Sequence, residues 1–153
     1  MSGSISLSQI VCFMQEAFRQ GKTATVRVSG KSMVPLLHHG TDSVIFGPCE
    51  NPHKLKRLDL PLYRRADGTY VMHRIVKVHK DSFDMCGDGQ RKIERGVPKN
   101  AVVAQAVGFI RKGKELSVKN RRYRLYSFIW CLIIPLRGLA FKLNYKLRGR
   151  KVK

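Results

Sequence analysis

Three short segments hold the side chains best suited to chemistry: Gly30-Lys31-Ser32-Met33-Val34-Pro35, Val71-Met72-His73-Arg74-Ile75-Val76 and Cys86-Gly87-Asp88-Gly89-Gln90. Ser32 follows an alternating stretch and lies between Gly30 and Pro35, where a tight bend exposes its hydroxyl and leaves backbone N–H groups free. A nucleophile has those two needs: an accessible oxygen, and donors aimed at the oxyanion that forms. The same residues also suit an ordinary turn. A serine is a weak nucleophile without a base in reach. His73 interrupts an apolar extended run and shares a face with Val71 and Ile75, where an imidazole must find a partner or suffer desolvation. His38 and His39 adjoin a turn, His53 lies in a loop and His79 ends a strand. His73 is therefore the candidate base, with a structurally satisfied core histidine as the alternative. Asp88 sits between two glycines after a short strand, and the backbone there can turn sharply toward a neighbouring strand. It suits an acid that orients His73 and stabilises its imidazolium, and it equally suits a plain turn.

The elements that must carry these residues are short and mostly extended. Ser8 to Arg19 places Ile10, Phe13, Met14, Ala17 and Phe18 at helical intervals and is closed by Gly21, which predicts an amphipathic helix. Thr23 to Ser29 alternates as a half-buried strand, and Ser43 to Phe46 reads as another. Leu58 to Arg64 and Tyr70 to Val78 flank Asp67-Gly68, a strong hairpin signal. Pro61 lacks a ladder donor and suggests an edge position for the first of these strands. Phe83 to Cys86 and Ala101 to Ile110 complete the extended set. Many short strands and few helices predict a mainly β body rather than a βαβ array.

The chain has 153 residues, enough for one domain-sized core, and 30 Lys plus Arg against 10 Asp plus Glu give a formal charge of +20. Such a balance excludes an acidic disordered chain and favours contact with phosphates, anionic lipid or acidic peptides. Cys12, Cys49, Cys86 and Cys131 include no Cys-x-x-Cys pair, which argues against zinc and for buried or half-buried free thiols. The opening residues lack a signal-peptide pattern, so a cytosolic body is expected. Leu125 to Leu143 is the most apolar window, but Pro135, Arg137, Gly138 and Lys142 interrupt it short of the roughly 20 residues a spanning helix needs. Two readings stay open: an interfacial anchor on the anionic inner face of the cell membrane, or a helix packed on the body with a solvated basic end.

Together the segments resemble the signal peptidase and LexA-like superfamily of serine peptidases. The resemblance rests on the order of Val28-Ser29-Gly30-Lys31-Ser32-Met33-Val34-Pro35, Lys56 to Arg64, Val71 to Val76 and Gly87-Asp88-Gly89, and continues through Val102 to Phe109. It covers about residues 22–112, leaving an N-terminal helix at 1–21 and a basic, amphipathic helical tail at 113–153. Gly89 stands where the family usually has Asn, Leu58 where it has Gly, and the 31 residues before Ser32 hold no membrane anchor.

The resemblance implies a compact β body with Ser32 as nucleophile, His73 as base, as in the family's Ser-His branch, and Asp88 as supporting acid, with Glu94 as the other acid candidate. It implies no metal or organic cofactor and no specific nucleic-acid partner. The expected activity is endopeptidase cleavage of a leader or signal segment from a secreted or modified peptide precursor, bound as an added β-strand. An acid beside His73 would favour the imidazolium and move the acidic limb of activity above the ordinary histidine pKa of ~6.5. The alternatives are an inactive peptidase-fold module and a basic adaptor for membrane or nucleic acid.

Overall fold

In the computed structural model, which describes residues 7–134, the first helix, α1, spans Leu7–Arg19. Its inward stripe is Ile10, Val11, Met14 and Phe18, while Phe13 is 70% exposed and Cys12 also faces out. The helical period is as read, but the apolar stripe is rotated by about one residue. Gly21, at φ +69°, closes the helix with Gly21 N–H donating to Phe18 and Lys22 N–H to Ala17. This is the paired bonding that lets a left-handed glycine satisfy the last carbonyls.

The body is mainly β. The strands are β1 (Ala24–Arg27), β2 (Ser43–Gly47), β3 (Pro61–Arg64), β4 (Tyr70–Met72), β5 (Arg74–Val78), β6 (Ser82–Cys86), β7 (Glu94–Pro98), β8 (Val102–Arg111) and β9 (Lys114–Ser117). All pair antiparallel. A six-stranded sheet runs β1-β2-β8-β3-β4, with β9 also on β8, and a three-stranded sheet runs β5-β6-β7. The Asp67-Gly68 hairpin forms, with Arg64 opposite Tyr70, Tyr63 opposite Val71 and Leu62 opposite Met72. Two expectations need correction. Pro61 is not on an edge strand, because β3 lies between β8 and β4. As the first residue of β3 it gives up no interior ladder bond. The run from Tyr70 to Val78 is not one strand: it breaks at His73, where the chain leaves the larger sheet for the smaller.

Alternation along β3 divides the interior. Leu62 packs with Met33, Leu36, Leu37, Phe46 and Phe109, and Tyr63 packs on the other side with Ile75, Phe83, Met85 and Val97. The second helix, α2 (Arg121–Leu132), begins with Asn120 accepting from the N–H groups of Arg122 and Tyr123, an N-cap. Its Tyr123 joins the larger core with α1. The segment after residue 112 thus starts as an ordered hairpin strand and a packed helix; the remainder of the apolar window to Leu143 lies outside the described residues. Among the described residues no helix is long and apolar enough to cross a membrane.

Candidate active site

Ser32 sits in a bend that is fixed from below and behind. Gly30, at φ +86°, turns the chain out of β1, and the buried Met33, Leu36 and Leu37 root the residues that follow it in the core. Behind the bend lies the Gly87-Asp88-Gly89 loop, whose Gly89 N–H donates to the Ser32 carbonyl at 2.8 Å. Both glycines are required by this approach. A Cβ on Gly87 would collide with the Ser32 carbonyl, and one on Gly89 would lie 2.8 Å from the Lys31 carbonyl and 3.0 Å from that of Val34. Ser32 itself is half-buried and lines a cavity of about 150 Å³ whose walls include Val28, Phe46, Leu62, Tyr70 and Met72.

His73 occupies the crossing between the two sheets. Arg74, the residue after His73, stands opposite Cys86, the residue before Gly87, and a Cβ on Gly87 would collide with the Ser32 carbonyl. Val71 and Met72, immediately before His73, line the same cavity as Ser32. The segments that carry Ser32 and His73 therefore adjoin the same glycine loop, but no hydrogen bond joins the two side chains and His73 is not among the residues lining the Ser32 cavity.

The protonation of the His73 ring follows from its hydrogen bonds. Its Nδ1 lies 3.1 Å from the Tyr63 hydroxyl, and that hydroxyl donates to Glu94 Oε2 at 2.7 Å. Glu94 is held in turn by Arg65, whose Nε donates to Oε1 at 2.9 Å, and this hydrogen bond keeps its carboxyl below the ordinary glutamate range. Burial, and after it the bond to Glu94, push the Tyr63 phenol well above its usual pKa, so it remains protonated. A phenol has one proton. With that proton committed to Glu94, Tyr63 can only accept from His73, which places hydrogen on Nδ1 and leaves the lone pair on Nε2. Nε2 is the buried side-chain nitrogen with no hydrogen-bond partner among the described residues. An unpaired buried polar atom is costly in an inert core and is what a base awaiting a hydroxyl proton presents. Burial, reinforced by the Arg65 charge, lowers the His73 pKa to about 4, with Glu94 and Asp88 pulling weakly the other way. The expected upward shift is thus reversed: desolvation outweighs the acids.

Asp88 is not the group that orients His73. Its carboxylate takes a two-pronged bond from Arg74, Nε to Oδ1 at 2.8 Å and Nη2 to Oδ2 at 2.7 Å, and a further bond from Tyr126. The physical reason lies one residue beyond the histidine. Arg74 is fully buried, cannot lose its charge, and claims the nearby carboxylate, whereas a neutral imidazole does not require one. Arg74 Nη1 reaches the Leu58 carbonyl, the Tyr123 hydroxyl and the Ser127 hydroxyl. Asp88 therefore holds the loop that seats Ser32, and Glu94, through Tyr63, stands beside His73.

Tyr63, Arg65 and Arg74 were not singled out by the sequence. The hairpin register contained a signal for Tyr63, because pairing Tyr63 with Val71 sets it diagonally from His73 on one face. Among the described residues no three His, Cys, Asp or Glu side chains converge as a metal site. Cys86 and Cys131 are buried, Cys49 half-buried and Cys12 exposed. Compared with known proteins, the chain matches no family model, no curated protein and no solved structure.

Proposed function

We propose that this chain is a serine endopeptidase of the signal peptidase-like type, with Ser32 as nucleophile and His73 as base. The observation that carries the reading is the buried, partnerless Nε2 of His73, its lone pair fixed by the Tyr63–Glu94–Arg65 chain; no hydrogen bond joins it to Ser32 in this state, so the proton transfer requires the two side chains to close on each other when substrate binds. Nε2 would take the Ser32 proton as the hydroxyl oxygen attacks a peptide carbonyl, then give it to the departing amine. Water would release the acyl-enzyme by the reverse proton path. While His73 carries two protons, its Nδ1–H donates to a Tyr63 oxygen polarised by ionised Glu94. That stabilises the imidazolium without a carboxylate bonded directly to the ring. Backbone N–H groups of the Ser32 bend supply the oxyanion donors.

The substrate reading is an extended leader or signal segment of a peptide precursor. β1 and β4 are edge strands of the six-stranded sheet, each paired on one side only, and residues of both line the Ser32 cavity. An edge offers unpaired backbone groups to a peptide in extended form. The mostly apolar walls and volume of about 150 Å³ suit a small apolar side chain near the cleaved bond. The test is incubation with a panel of extended precursor peptides, mapping the products by mass spectrometry. Cleavage next to small apolar residues that disappears in Ser32→Ala is expected; cleavage retained by Ser32→Ala, or none across the panel by folded protein, overturns the assignment.

A further inference from the structure

α2 has two faces with different roles. On the inner face Tyr123 and Ser127 accept from Arg74, the Tyr126 hydroxyl donates to Asp88, and Trp130 Nε1 donates to the Asp88 carbonyl at 2.9 Å. On the outer face Leu125, Phe128, Ile129 and Leu132 are 60%, 47%, 48% and 50% exposed. Their spacing of three, four and seven residues gathers them into one stripe about 100° wide. Exposed Arg121 and Arg122 lie one turn before the stripe and nearly in line with it, and exposed Arg124 borders it. Among the described residues, none of the four belongs to a core cluster or makes a side-chain hydrogen bond, so packing among those residues does not account for the stripe.

We infer that the outer face of α2 is an interfacial docking surface for an anionic lipid bilayer. A helix with an apolar stripe and arginines at its margin lies flat in the headgroup region, its apolar side chains entering about 5–10 Å. The charge selects the occupant: residues 135–153 add seven basic residues and no acid, and the whole chain carries +20. Two such chains repel each other, which disfavours a second copy on the stripe, whereas an anionic leaflet attracts both helix and tail. The inner face is tied to the Asp88 loop behind Ser32, so docking would hold the serine bend about one helix diameter, roughly 10 Å, from the lipid. The inference does not depend on Ser32 being a nucleophile.

The test uses the full chain with vesicles of phosphatidylcholine alone or mixed with phosphatidylglycerol. At low salt the wild type is expected to cosediment with the mixed vesicles far more than with the neutral ones. Phe128→Ser/Ile129→Ser should weaken partitioning at least about ten-fold, since burial of such side chains carries that much transfer free energy. Arg121→Gln/Arg122→Gln should weaken it about five-fold per charge, and less at high salt. Phe128→Trp gives a readout that removes no apolar side chain: its added emission should be quenched by brominated lipid, against the inward Trp130 as background. Wild type that ignores anionic vesicles overturns the inference, as does emission from the Phe128→Trp variant that bromolipid leaves untouched. Folded Phe128→Ser/Ile129→Ser that binds as well as wild type assigns binding to residues beyond 134 and refutes the stripe. A lipid-free dimer that this variant dissociates would make a second copy the occupant.

Discussion

The acidic limb of Ser32 reactivity should fall near pH 4. Burial and the Arg65 charge lower the His73 pKa to about 4 from the ordinary 6.5. At pH 5.5 a base of pKa 4 is roughly 97% neutral and one of 6.5 roughly 9%, so the two cases differ about ten-fold in competent enzyme. A serine-directed phosphonate probe, with its second-order labelling rate followed by intact mass from pH 3.5 to 8, reads this limb without a known substrate. The same shift bears on stability, with its sign set by proton uptake. Between pH 6.5 and 4 the unfolded chain protonates this histidine and the folded chain does not, so folding weakens as pH falls through that window. The total is about 3 kcal/mol, from 1.36 kcal/mol for each pKa unit. Urea denaturation across this range should show His73→Gln losing less stability than the wild type. A labelling limb at pH 6 or above, or wild type and His73→Gln with the same pH dependence, would refute a desolvated His73.

Three substitutions separate the roles of the surrounding groups. Tyr63→Phe leaves the buried Nδ1–H without its acceptor, which should cost about 1–3 kcal/mol of stability and lower labelling at least about ten-fold through lost tautomer control; nitrogen chemical shifts of the neutral His73 ring would report a mixture of the Nδ1–H and Nε2–H tautomers in place of Nδ1–H alone. Asp88→Asn should act on the fold before the base: an uncompensated buried Arg74 costs about 3–5 kcal/mol, read by urea denaturation, and a stability close to wild type would contradict the pairing. Gly87→Ala must move the Ser32 carbonyl or the loop, so labelling should drop sharply with about 1–3 kcal/mol of destabilisation; unchanged labelling would show that the close approach is unimportant.

How much was legible in the sequence follows the range of the interactions. The helix at 7–19, the Asp67-Gly68 hairpin and most strands are encoded by local period and turn chemistry, and they appear where those signals lie. Ser32 and His73 could be singled out because each is a reactive group interrupting an otherwise regular pattern. The break at His73 could not be read, because Tyr70 to Val78 holds apolar, strand-forming residues on both sides of His73 with no Gly or Pro between them, and only tertiary packing sends its halves to different sheets. The partner of Asp88 is hidden from the sequence for a related reason. Arg74 resembles an outward-facing basic residue in a chain rich in them, and its complete burial depends on α2 arriving from nearly fifty residues away with Tyr123 and Ser127. Glu94 was visible as an acid, but its route to His73 runs through Tyr63, which only the hairpin register, and nothing in its own segment, sets near His73.

The most direct measurement is site-resolved labelling of the full chain by the phosphonate probe at pH 7. One phosphonyl group is expected, on Ser32 by peptide mass spectrometry, none on Ser32→Ala, and labelling at least ~100-fold slower in His73→Ala, the lower end for loss of a general base. Folded wild type left unlabelled, a label on another serine, or His73→Ala reacting at the wild-type rate would contradict the roles proposed for Ser32 and His73.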